Sequence, residues 1–90
     1  MMNKDYVPIP CDWHSQLEVA ILRRLTLDIR LADGERLRHW RGVDLLTRDG
    51  AEYLRLRSDG GEQRDVRLDE LLRVTQAASG NVLLNRDATS

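Results

Sequence analysis

The chain has one cysteine (Cys11), no phenylalanine, two prolines (Pro8 and Pro10) and a single lysine, Lys4. One cysteine excludes an internal disulfide and a cysteine-built metal cluster, and it fits a reducing compartment. No long apolar run occurs, and the start Met1-Met2-Asn3-Lys4-Asp5 lacks the apolar core of a signal peptide. Neither secretion nor membrane spanning is expected, and cytoplasm is the default. An excess of charge of one sign is also missing: fourteen basic and fifteen acidic side chains leave a net charge of −1, so bulk charge dictates no partner. Its distribution is uneven. Six Arg against three acids lie between Ile21 and Arg41, and eight acids against five Arg lie between Gly42 and Leu72. The two halves can therefore present faces of opposite sign.

The patterns of catalysis are missing too. The sequence has no Gly-rich phosphate loop, no His-x-x-x-His and no Gly-x-Ser-x-Gly elbow. Cys11 and His14, three residues apart at a helix start, come nearest to an activated thiol. The favoured reading of Cys11 is a small buried residue where the helix begins, and His39 reads as a strand surface residue. No enzyme, metal or cofactor is expected.

What is present is a folding pattern. At 90 residues, 41% hydrophobic and 32% charged, the chain reads as one domain able to fold alone. Pro8 and Pro10 bias residues 1–10 towards an extended lead-in, on which Tyr6 and Ile9 pack against the domain. Asp12 is placed to N-cap a helix over Trp13 to Arg24, which contains neither Gly nor Pro. Helical spacing puts Leu17, Ile21, Leu22 and Leu25 on one side and Gln16, Ala20, Arg23 and Arg24 largely on the other. Leu25, Leu27, Ile29 and Leu31 then alternate with polar residues as a strand, ending at an Asp33-Gly34 turn.

The return strand, Glu35 to Val43, alternates poorly, which predicts a bend or bulge near Gly42. Asp44 to Gly50 reads as a loop closing in an Asp-Gly turn, followed by a third strand over Ala51 to Arg57 with Leu54 and Leu56 inward. The Ser58-Asp59-Gly60-Gly61 turn leads to a fourth strand, Glu62 to Leu68. A 3₁₀ turn over Leu68 to Leu71, a short strand over Leu72 to Thr75 and an edge strand over Asn81 to Leu84 complete the pattern. A frayed tail covers 86–90. The fold class is mainly β with one N-terminal helix, and its five or six antiparallel strands should close into a small barrel or sandwich over 11–85.

Two surfaces stand out. Glu18 projects among the apolar residues of the helix, so it sits at the margin of the packed face or contacts a partner. Trp40 with Arg36, Arg38 and Arg41 has the composition of a single-stranded RNA platform, although packing of Trp13 and Trp40 accounts for both tryptophans more simply.

The segments Tyr6-Val7-Pro8-Ile9-Pro10-Cys11-Asp12, Leu17-Glu18-Val19-Ala20, Leu31-Ala32-Asp33-Gly34-Glu35-Arg36-Leu37, Glu52-Tyr53-Leu54 and Val66-Arg67-Leu68-Asp69, in this order and spacing, resemble the Rho-binding antiterminator (Rof) family. The resemblance runs from about Tyr6 to the strand at Asn81 to Leu84. It implies an Sm-like barrel with an N-terminal helix. It also implies binding to the N-terminal RNA-binding domain of the hexameric terminator Rho, obstruction of RNA loading and so antitermination. The partner surface it implies comprises Asp12, His14, Ser15 and Glu18 on the helix, with Arg48 and Asp49 before the third strand. Where the family has a denser acidic run at the helix start, this chain has Trp13, His14 and Ser15. The alternative is an Sm-like module that binds single-stranded RNA itself.

Overall fold

The computed structural model describes residues 11–86. The lead-in over 1–10 and the tail beyond 86 lie outside the described residues. Helix α1 spans Cys11–Leu22, so Asp12 falls inside the first turn and not at the cap, where its carboxylate still complements the positive end of the helix dipole. The inward stripe is Trp13, Leu17, Ala20 and Ile21, the i, i+4, i+7, i+8 set of an amphipathic helix. Leu17 and Ala20 are fully buried. Leu22 was expected on this side but is 80% exposed; five residues beyond Leu17 it has rotated by roughly 140° away from the core. Ala20, expected on the polar side, takes its place.

The helix ends in a Schellman motif. Arg24 adopts a left-handed φ of 55°, its N–H donates to Ile21 O, and the Leu25 N–H donates to Ala20 O. This reversal lets the chain enter the sheet within four residues of the helix.

Six strands follow: β1 (Thr26–Leu31), β2 (Arg36–Arg48), β3 (Ala51–Ser58), β4 (Gln63–Arg67), β5 (Leu71–Gln76) and β6 (Val82–Asn85). A 3₁₀ turn over Leu68–Glu70 joins β4 to β5. They form one antiparallel sheet in the order β4-β3-β2-β1-β5-β6. The alternation of β1 holds, with Leu27, Ile29 and Leu31 buried.

Residues 44–48, expected to be loop, instead continue β2, which runs for 13 residues. Two irregularities disguise it. Arg38 and His39 together oppose Asp28, with His39 at φ 60° and its N–H donating to Asp28 Oδ1 at 2.9 Å. Val43 is the extra residue between the Gly42–Leu56 and Asp44–Arg55 pairs. Each bulge resets the inward phase, so a period-2 reading across it fails. Gly42, placed at the bend as the sequence implies, lets α1 approach closely: a Cβ built there would lie 3.3 Å from Ile21 Cγ1.

Val66 of β4 and Leu84 of β6 come from opposite edges of the sheet yet share one core cluster with Leu17, Leu54, Leu68 and Val74. The sheet therefore curls strongly around its core. The expected barrel is not closed by strand pairing, because β4 and β6 remain its two edges. Trp13 and Trp40 pack against the core. Arg86, expected in the frayed tail, is held: its N–H donates to Leu72 O at 2.7 Å, its guanidinium donates to Asp69 O at 2.9 Å, and it lies 5.7 Å from the Trp13 ring centroid.

Candidate functional site

The outward surface of α1 consists of two stripes at helical spacing. Cys11, Ser15, Glu18 and Leu22 form one; Asp12, Gln16, Val19 and Arg23 form the other, and all eight are exposed. Cys11 is thus solvent-facing and not the buried residue expected at the helix start. His14 flanks the first stripe, and its Nε2 lies 3.1 Å from Glu52 Oε1 at the start of β3. This contact joins the helix to the β2–β3 hairpin.

Beside Glu18 a shallow cleft of about 270 Å³ separates α1 from β2, lined by Glu18, Ile21, Leu22, Asp44 and Leu45. Glu18 and Asp44 bring negative charge to an apolar floor of Ile21 and Leu45, and Leu22 forms an exposed apolar rim. Asp44 is positioned by the Val43 bulge and accepts a hydrogen bond from the Leu45 N–H at 2.8 Å. Sequence reasoning did not single out Asp44, Leu45 or Glu52. The first two lay in a segment read as loop, and no local signal ties Glu52 to His14, 38 residues away.

The hairpin holds the other expected site residues. Asp49 (φ 51°) and Gly50 (φ 78°) make a two-residue turn between the paired Arg48 and Ala51, and positive φ at both positions is what this turn demands. The Arg48 guanidinium lies 4.5 Å from the Tyr53 ring centroid and 3.4 Å from Asp65. Asp65 also accepts two hydrogen bonds from Arg55, at 2.9 and 3.1 Å. Hydrogen bonding from Arg55, aided by the charges of Arg55 and Arg48, holds the Asp65 carboxyl below its ordinary 3.8. Strand alternation puts Tyr53 on the opposite face from Glu52. The structure therefore brings His14, Ser15 and Glu18 together, leaves Asp12 on the adjoining stripe, sets Asp49 at the exposed hairpin tip, and turns Arg48 into an ion-pair network on the far side.

The residues of the alternative RNA platform are also divided. Arg36 and Arg38 line one cleft, Arg41 borders another with Arg24 and Gly42, and Trp40 packs on the core. Among the described residues no group of three or more His, Cys, Asp or Glu could hold a metal ion, and no helix is long and apolar enough to cross a membrane.

A family described as "Modulator of Rho-dependent transcription termination (ROF)" matches residues 8–84. Protein rof of Escherichia coli (strain K12) is 37% identical over 84 residues, which span 93% of this chain and 98% of that protein. Protein rof of Shigella flexneri gives the same identity and coverage. With a match over nearly its whole length, the chain belongs to the ROF family of modulators of Rho-dependent transcription termination.

Proposed function

We propose that this protein binds the N-terminal RNA-binding domain of Rho and inhibits termination by obstructing RNA loading, acting as a protein ligand and not as an enzyme. The observation that carries this reading is the outward face of α1, where Leu22, 80% exposed, borders the cleft between Glu18 and Asp44. A domain that holds RNA presents cations to phosphate, and carboxylates held on a rigid helix compete for the same cations. Leu22 supplies the apolar anchor that a small interface needs at its centre. Ser15, His14 and Asp12 border this contact, and Asp49 at the hairpin tip adds a second acidic point. Arg48 serves the hairpin through Tyr53 and Asp65. Such a partner places the protein where Rho works, in the cytoplasm.

The test is binding of purified Rho to two variants. Glu18→Arg should weaken binding at least tenfold at low salt, about 1.4 kcal/mol or more, because it sets like charges against each other. Leu22→Ala should weaken it by a similar factor with an unchanged melting temperature, since Leu22 lies outside the core. Wild-type affinity in both variants would refute the helix face as the contact.

A further inference from the structure

The outer face of the sheet carries a second charged surface, remote in character from the helix contact. Arg30 on β1 is the register partner of Arg36 on β2 and of Arg73 on β5. Residues opposite one another in register share a face, and strands lie about 4.8 Å apart, so these three arginines form a row roughly 10 Å wide. Arg38, two residues along β2, joins them on the same face. Together they surround a cleft of about 320 Å³, with Asp28 and Thr75 at its other end.

Asp28 is the one carboxylate among the residues that line the cleft, and its Oδ1 already accepts the His39 N–H. Among the described residues no ion pair involves Arg36, Arg38 or Arg73, all of them exposed. Three other arginines of this sheet are ion-paired: Arg55 with Asp65, Arg64 with Glu35 and Arg67 with Asp69. Three exposed guanidinium groups without an ion pair around one cleft favour an anion held between them. No aromatic side chain lines the cleft, so nothing there stacks bases, and recognition falls on phosphate oxygens that Arg chelates through its forked donors.

We propose that this cleft is a second binding site, for closely spaced phosphate groups such as the successive phosphates of single-stranded RNA or the chain of a nucleoside triphosphate. It shares no residue with the proposed contact with Rho.

The experiment is fluorescence anisotropy of a labelled decauridylate with the full-length protein at 50 and 200 mM salt, with unlabelled UTP as competitor. Neutralising three phosphates gives a slope of about −2 in log K against log salt, so binding should weaken roughly twentyfold between the two conditions. The double variant Arg36→Gln/Arg73→Gln should lose at least tenfold in affinity, and Arg38→Gln alone should also weaken binding. Arg57→Gln, on β3 outside the cleft, should bind as wild type. Melting temperatures at or above wild type in the cleft variants would show that lost binding is not lost folding. Displacement by UTP at concentrations similar to RNA assigns the site to a triphosphate, and displacement by RNA alone assigns it to the strand. Absence of binding to both at 50 mM salt, or unchanged affinity in the cleft variants, overturns the proposal.

Discussion

Replacing Gly42 with valine tests whether α1 is seated on the bend of β2. A Cβ at this position would lie 3.3 Å from Ile21 Cγ1, 3.6 Å from Leu54 Cδ1 and 3.8 Å from Leu27 Cδ1. Ile21 is half-buried on the helix and can yield a few tenths of an ångström, so Gly42→Ala should stay within about 0.5 kcal/mol of wild type, the strain being offset by the strand penalty of glycine. Valine carries two further carbons about 1.5 Å deeper into the corner, towards Leu27 and Leu54, which are fully buried and have nowhere to move. Overpacking of this kind costs about 1–3 kcal/mol, against a gain of roughly 0.5–1 from removing glycine from a strand. The net loss is then about 1–2 kcal/mol, or a fall in Tm of roughly 4–16 °C for a domain of this size. Thermal unfolding followed by far-UV circular dichroism reads it directly. A Gly42→Val variant melting at or above wild type would mean that the helix does not rest on this glycine.

Other perturbations follow from local geometry. Arg24→Gly should stabilise the domain by roughly 0.5–1 kcal/mol, since a left-handed L-residue at the helix C-terminus carries a Cβ–carbonyl clash that glycine avoids, less the greater freedom of glycine in the unfolded chain; chemical denaturation measures it. Leu54→Ala should cost about 2–5 kcal/mol, because Leu54 is fully buried at the meeting point of β2, β3 and β4, and a urea midpoint shift checks the value. Stability should also fall on acidification. Arg64 hydrogen-bonds Glu35 and Arg55 hydrogen-bonds Asp65, lowering both carboxyls from 4.5 and 3.8 respectively. Groups lowered on folding contribute their stability above those ordinary values and lose it as pH falls through the lowered ones. Melting temperatures should therefore drop below about pH 4.5, and Asp65→Asn should show a shallower acid limb than wild type.

Much of the fold is legible where local chemistry and global packing agree. Leu27, Ile29 and Leu31 alternate because β1 is central and has one face on the core, and Asp49-Gly50 marks its turn because both positions require positive φ. The strand over 44–48 was hidden because each bulge in β2 shifts the phase of alternation relative to the strand beside it. Barrel closure was over-read, since a one-dimensional pattern of short strands does not fix whether the last edges pair. The candidate site was half legible. Glu18 stands out because it interrupts an apolar run, yet the same run misplaced Leu22, an apolar residue whose helical phase points it outward. A rule broken in this way is where a surface used for binding is to be sought. Asp44 and Glu52 reach α1 only through the folded sheet, and no spacing in the sequence encodes that.

The central claim is that this protein and RNA compete for one surface of Rho. The most direct measurement preloads Rho with a labelled pyrimidine-rich single strand and titrates in the protein at two salt concentrations, with binding to Rho monitored separately. The account predicts that the protein displaces the strand at low salt, that displacement weakens at high salt, and that Glu18→Arg fails to displace it. A stable complex in which Rho holds the strand and the protein together would contradict it.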